Sequence, residues 1–457
     1  MRVSFLFDYR IWITIILSAS LGWFWSVFTA LIDVKPVLML AIPFAVLFFL
    51  LMVTKPRWVI FIIVIIRPLL DVLLNMTRVN VENGEGLGIG AVFNLTVIFL
   101  AIFLAFYSLN FPQNAVPIYC WVFYLLCMLI TVFYSPSRGE SIRLWLNYVS
   151  YFALFLIPFL IVKDQQDFNH WLRVLGISFV LPVLCADVDL MKGGQYFEDA
   201  GNRVAGTFTH PNILAFYLVL AFTFFFYLLK SGHLNFTPMI KWMARILMVN
   251  MLVLLVATKT RNAWISIYLG FVIYSLLQER KMLLLLVIIV PLMFLVPQVQ
   301  ERMLTVLKND TSGDYRGINS FEWRMQMWKS SFSKIAQRPL QGYGLGSFKS
   351  MSEEFSTNKK TGAHNTYLEL IFETGAVGLV SFISLFLSPL TIFFKNMRQS
   401  QSLIGAQVWA LLISYVLSYM LICSADNLLF YLVFNWYVWF LLGLMLVASY
   451  RRYSVYV

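Results

Sequence analysis

Charge is scarce in this 457-residue chain: Asp, Glu, Lys and Arg together make 12% of it, against 60% hydrophobic residues. A soluble domain carries about a quarter charged residues and roughly half apolar ones. That shortage excludes a single water-soluble core and leaves lipid as the solvent of much of the chain. Cysteine and histidine are as rare, at four residues each. Cys120, Cys127, Cys185 and Cys423 all lie in apolar runs and none forms a CxxC pair. Neither a disulfide framework nor a zinc site is indicated, and the four read as small buried hydrophobes. Alternation of polar and apolar residues is missing too. Runs such as FIIVIIRPLL and MLLLLVIIVPL are continuous, which excludes a transmembrane β-barrel.

What the chain has in abundance is apolar segments long enough to span a bilayer. Because lipid cannot satisfy backbone amides, such segments are expected to be helices. About fourteen (12–14) are expected by the 17–25-residue length rule. Their cores fall near 11–30, 37–53, 58–75, 91–108, 117–134, 145–162, 171–188, 211–229, 243–258, 263–278, 282–297, 367–394, 403–424 and 428–449. The first follows Arg2 and Arg10, lacks a small-x-small cleavage site, and reads as a retained span. The reading is an all-α polytopic membrane protein, residues 1–457 forming one membrane domain with a long loop, 298–366, inserted between spans.

The net charge of +12 comes with no nucleic-acid module. Anionic headgroups or a phosphate-bearing substrate are better matches. Positive residues favour the cytoplasmic side in short loops. Arg451 and Arg452 therefore place the C-terminus inside, and an even span count places Arg2 and Arg10 inside with it. The loops at 189–210, 259–262 and 298–366, and the acidic VENGEGLG, then fall outside. Within the longest, Phe321, Met325, Trp328, Phe332 and Ile335 mark one face of a helix that Pro339 ends. Such a helix either lies on the outer membrane surface or packs on neighbouring spans.

Three short patterns share that outer face. NRVAGTFTHPNILA carries Arg203 ahead of a helix opened by His210 and Pro211, with His210 read as a helix-start residue. TKTRNAW carries Arg261 in a tight link. GAHNTYLELIFETGAVGLV carries His364 at the mouth of a span, where Thr366 and Glu369 have capping-box spacing. Guanidinium groups suit forked hydrogen bonds to phosphate, and imidazole accepts a proton near neutrality. Together they point to binding of a diphosphate leaving group and activation of a hydroxyl, with arginine charge in place of a metal. His170 and His233 read as ordinary loop residues. Arg67 and Asp71, in RPLLD, are i, i+4 partners inside an apolar run. They read as an intramembrane structural pair that could face a lipid-carrier groove.

At these residues the chain resembles the bacterial O-antigen ligase and polymerase superfamily. HNTYLELIFETGAVG fits that family's His-[Asn/Ser/Gln]-x9-Gly-x-x-Gly pattern, with His364 and Asn365 opening it and Gly375 and Gly378 closing it. RVAGTFTHPNILA, TKTRNAW and EWRMQMWKSSFSKIAQRPLQGYGLGSF are similar to its other recurrent stretches, so the resemblance spans roughly residues 200–395. It implies a metal-independent GT-C-type glycosyltransferase without cofactor, in the bacterial inner membrane and acting on its periplasmic or extracellular face. It implies an undecaprenyl-diphosphate-linked oligosaccharide donor, a glycan acceptor and a chain-length regulator as partners. His364 would be the general base; Arg203, Arg261 and, more weakly, Arg324 would hold the donor diphosphate. Repeat-unit polymerase is the preferred form. Ligation to lipid A-core, or to protein hydroxyls, and transport of lipid-linked sugars are the alternatives.

Overall fold

The computed structural model describes residues 50–77, 80–81, 84–85, 89–107, 115–197, 201–297, 299–300, 320–355 and 361–451. The expected span at 11–30 and most of that at 37–53 lie outside the described residues. The chain divides into two units, Met1–Ile66 and Arg67–Val457. In the first, α1 is Pro56–Ile66.

In the second unit, a 3-10 turn at Arg67–Leu69 leads into α2 (Asp71–Met76). The helices that follow are α3 (Ile89–Tyr107), α4 (Val116–Val132), α5 (Arg138–Ile161) and α6 (Gln165–Met191). Next come α7 (Pro211–Ser231), α8 (Pro238–Ala257), α9 (Arg261–Leu277) and α10 (Lys281–Met293). After the long loop's helices α11 (Ser320–Ile335) and α12 (Ser347–Met351) come α13 (Thr366–Gln399), α14 (Leu403–Ile422) and α15 (Leu432–Tyr450). Seven described helices are long and apolar enough to cross a membrane: α5 to α8 and α13 to α15. Two antiparallel hairpins, β1–β2 (Asn80–Val81, Gly84–Glu85) and β3–β4 (Gln195–Phe197, Gly201–Arg203), interrupt the helical pattern.

The expected continuous span at 58–75 is corrected: it breaks at Arg67–Leu69. Pro68 has no N–H and disfavours helical geometry in the residue before it. The Thr207 loop fills the gap, its carbonyl accepting from the Val72 N–H at 3.2 Å and its hydroxyl donating to the Pro68 carbonyl at 2.7 Å.

Helix α15 is the axis of this unit, buried at every position from Val433 to Ala448. It packs on α5, and Gly443 is required there because a Cβ would overlap the Phe155 carbonyl. Small residues at such crossings let backbones approach in place of a hydrophobic driving force between helices. Around this seam aromatic rings interlock: Trp121 meets Trp439 edge-to-face at 4.6 Å, and Phe386 lies 5.1 Å from both Trp439 and Tyr419. Outer helices instead expose apolar stripes, such as Ile246, Val249 and Val253 on α8, as lipid contact requires.

Alternate connections gather at opposite ends. At one, Ser135 donates to the Leu345 carbonyl (2.8 Å), Arg203 to Thr258 (2.8 Å) and Asn262 to Ala425 (2.9 Å). At the other, Arg451 donates to the Lys163 carbonyl (3.0 Å) and Lys230 pairs with Glu279. The first end collects the loops that carry Arg203, Arg261, Arg324 and His364.

Candidate active site

The site begins with a broken helix. Within α13, Gly375 sits at φ 66°, ψ −171°, a region open essentially only to glycine. The break frees carbonyls at Phe372 and Glu373, and the glycine-rich loop after α11 supplies the donors. Tyr343 N–H bonds to Phe372 (3.0 Å) and Gly344 N–H to Glu373 (2.7 Å), while Ala376 N–H bonds back to Pro339 (2.8 Å). A Cβ on Gly375 would run into the Leu340 backbone. Gly378 lies one turn further on, where a Cβ would overlap the Thr374 side chain and crowd Met128 of α4. Gly375 thus records a loop docked into a gap in a helix, and Gly378 the close packing one turn beyond it.

Helix α11 lies against this loop. Its buried side chains include Met327, Ser331 and Ile335, and Met327 and Ile335 join Tyr343, Phe348, Ala363 and Phe372 in one cluster. The face is rotated from the expected one: Ile335 is buried as expected and Trp328 partly so, but Phe332 is exposed and Met327 is buried in its place. The side chain of Phe321 lies outside the described residues. The buried face packs on α13 and its loop.

That packing presents His364. Trp328 Nε1 donates to the Ala363 carbonyl (2.8 Å), and the helix start is pinned to the turn before α15. There Thr366 N–H bonds to Cys423 (2.7 Å) and its hydroxyl to the Asp426 carbonyl (2.9 Å). Between these anchors His364 adopts φ 49°. The N-cap is Asn365, whose Oδ1 accepts from Leu368 N–H at 3.1 Å, so the expected cap at Thr366 is corrected by one residue. Thr366 spends its hydroxyl on the neighbouring turn, and Glu369 is buried on a cavity wall.

Burial, first, and then the charges of Arg324 and of the nearby His210 hold the His364 pKa below its ordinary value, against the opposing pull of Asp426. Its imidazole is neutral at pH 7 and able to accept a proton. Arg324 donates Nη1 to the Ala425 carbonyl (3.2 Å), and its buried Nε has no partner among the described residues. Asp426 accepts from Tyr431 OH (3.0 Å) and from Asn427 N–H (2.8 Å). His210 is the N-cap of α7, its Nδ1 accepting from Asn212 N–H at 3.1 Å.

Arg203 ends the β3–β4 hairpin, 3% exposed. Its Nε donates to the Thr258 carbonyl (2.8 Å), and its Nη2 to Asn212 Oδ1 (2.8 Å) and Thr260 Oγ1 (2.9 Å). Asn212 in turn reaches Tyr431 OH (3.3 Å), linking Arg203 to the Asp426 network. Arg261 opens α9 directly after Thr260 and is partly buried. The structure thus brings the Arg324 charge to act on His364, ties Arg203 through a hydrogen-bonded chain to Asp426, which also acts on His364, and sets Arg261 on the turn that Arg203 holds.

A cavity of about 420 Å³ opens beside His364. Neither Arg203, Arg261 nor Arg324 is among its lining residues; Arg67, Asp71, Arg143, Lys349, Glu369 and Asp426 are. Arg67 and Asp71 pair at 3.2 Å, as their spacing suggested, and Asp71 also accepts from the Thr209 N–H and hydroxyl, both at 3.1 Å. Among the described residues no three or more His, Cys, Asp or Glu side chains are grouped to hold a metal ion. Sequence reasoning passed over Asp426. Its only signal was position: SADN is the short polar link between the last two apolar runs.

No curated protein matches the chain. Residues 246–383 match the family model for O-antigen ligase. The matched stretch contains Arg261, Arg324, His364, Asn365, Gly375 and Gly378; Arg203, Arg67 and Asp426 lie outside it. It covers the turn into α9, the packed loop helix and the broken helix that presents the neutral imidazole, and over that stretch it supports the resemblance to the O-antigen ligase and polymerase superfamily.

Proposed function

We propose that the protein is a metal-independent, inverting glycosyltransferase that moves a glycan from undecaprenyl diphosphate to a sugar hydroxyl, as a repeat-unit polymerase of a surface polysaccharide. The observation that carries this reading is His364: an imidazole that burial and then Arg324 hold neutral against the pull of Asp426, on the wall of a polar cavity. In this mechanism His364 takes the proton of the acceptor hydroxyl as its oxygen attacks the anomeric carbon. The bond from that carbon to the diphosphate oxygen breaks, and the lipid diphosphate leaves with the electron pair. Single displacement inverts the anomeric centre. Negative charge grows on the bridging oxygen, so cations fixed beside it favour the transition state over the ground state.

Arg324 and Arg261 contact the diphosphate in this scheme. Arg203, whose guanidinium already donates to Thr258, Asn212 and Thr260, positions the turn that carries Arg261. The reaction takes place at the periplasmic or extracellular face of the bacterial inner membrane, with both termini cytoplasmic. A chain-length regulator is the protein partner proposed for the polymerase. Transfer to lipid A-core is the second reading, favoured by the family description that residues 246–383 match.

Purified protein given lipid-diphosphate oligosaccharide and no added metal should form a new glycosidic bond with a repeat-unit acceptor. A lipid A-core acceptor in a parallel reaction separates ligase from polymerase. His364→Ala and Arg261→Ala should each abolish most of the product. Full activity in both variants overturns the site, and relocation of substrate without bond formation overturns the enzyme.

A further inference from the structure

We infer that the cavity beside His364 is the acceptor subsite and that it takes a neutral, hydroxyl-rich saccharide of one or two rings; this rests on the transferase reading above. The two arginines on its walls are already paired. Arg67 pairs with Asp71 at 3.2 Å and Arg143 with Glu140 at 2.5 Å. An anionic ligand would shed its water here without meeting an uncommitted guanidinium group.

What the walls offer instead is hydrogen-bonding atoms. Asn94 Oδ1, Asn427 Oδ1 and Glu369 Oε2 are buried and have no hydrogen-bond partner among the described residues, and neither has Arg67 Nε. Their residues are 7%, 8%, 4% and 3% exposed, and all four line this cavity. Three oxygens and one N–H call for a ligand that both donates and accepts, which is what sugar hydroxyls do. Buried polar atoms left unmatched carry a desolvation penalty that a fitting ligand removes. The volume, about 420 Å³, lies low in the roughly 300–1,000 Å³ range of small-molecule pockets, so one end of a glycan fits rather than a whole repeat.

Position completes the argument. His364 lies on the cavity wall, whereas Arg203, Arg261 and Arg324 do not. An inverting displacement needs nucleophile and leaving group on opposite sides of the anomeric carbon. An acceptor in the cavity and a diphosphate among the arginines would meet that need, with the base beside the acceptor hydroxyl.

The test is saturation-transfer NMR on the full chain in detergent. The probes are methyl α-glucoside, methyl β-galactoside and the corresponding uronates, at roughly 10 mM to capture ligands of about millimolar affinity. Native protein should transfer magnetisation to a neutral glycoside more strongly than to its uronate. Asn94→Leu and Asn427→Leu, each close in volume to the native residue, should weaken that binding about threefold to tenfold, the loss of one hydrogen bond. Thermal unfolding shows whether each variant folds. No transfer to any neutral glycoside from native protein overturns the subsite, as do preferred uronates or folded variants that bind like native. The readout needs no turnover. A protein that binds the glycosides but forms no glycosidic bond overturns the transferase reading and leaves the sugar site standing.

Discussion

His364 carries the proposed chemistry on a backbone that disfavours it, and two substitutions separate those facts. At φ 49° the residue lies in the left-handed region, which costs an ordinary L-residue about 1–2 kcal/mol and glycine almost nothing. In an unstrained loop, alanine is more stable than glycine by about 0.4–1 kcal/mol because it restricts the unfolded chain. Here the order should reverse. Both His364→Ala and His364→Gly lose the imidazole and its contacts alike, so the difference between them isolates the backbone. The glycine variant should be the more stable by about 1 kcal/mol, the left-handed cost less the unfolded-state gain. Both should lose activity together. Removing a general base costs about 10²–10⁴ in rate, or about 2.7–5.5 kcal/mol of barrier. Thermal unfolding in detergent reads the first quantity, and single-turnover transfer from a lipid-diphosphate glycan reads the second. An alanine variant as stable as the glycine variant refutes the strained backbone. Turnover within a factor of about ten of native refutes the base.

The acid limb of the transfer rate should lie below the ordinary histidine range, because burial and then Arg324 favour the neutral imidazole. Arg324→Gln removes a cation and should move that limb to higher pH, whereas Asp426→Asn removes an anion and should move it lower; rate profiles of the two variants check the opposite signs. Gly375→Ala combines backbone strain of about 1–3 kcal/mol with collision against the Leu340 backbone. It should lower the unfolding midpoint and, by displacing the 339–346 loop, turnover as well. Asp71→Asn breaks a pair whose arginine is 3% exposed and should destabilise the protein by about 3–5 kcal/mol. Exchanging both residues for apolar ones should restore most of that loss, as thermal unfolding of the single and double variants would show.

Local features were legible where chain neighbours decide them. Pro211 after His210 marked the start of α7, and Pro339 marked the end of the 320–335 helix region, because missing N–H groups act wherever they occur. Competition between neighbours was harder to read. Asn365 and Thr366 can each cap a helix, and what decides is that Thr366 bonds across to Asp426, a residue 60 positions away. The rotated face of α11 has the same origin: Met327 and Phe332 are both apolar, and only the cluster around Phe372 chooses between them. Arg67 and Asp71 were readable as a pair, but not as a break in the helix. The donor and acceptor that replace the helical bonds come from Thr207, far along the chain.

That break explains why a charged pair sits beside the proposed chemistry. A continuous helix through 58–75 would spend the Val72 N–H on the Pro68 carbonyl and leave the 204–210 loop without either contact. With the helix broken, Thr207 takes both groups, and Asp71 holds Thr209, the neighbour of His210. His210 in turn acts electrostatically on His364. The pair therefore reaches the site by two routes: Asp71 fixes the loop that ends at His210, and Arg67, with a buried unmatched N–H, lines the cavity where the acceptor would lie. An apolar replacement that restored stability would keep neither route. The double variant proposed above should therefore fold well and still transfer glycan poorly, which distinguishes a site component from a buried strut.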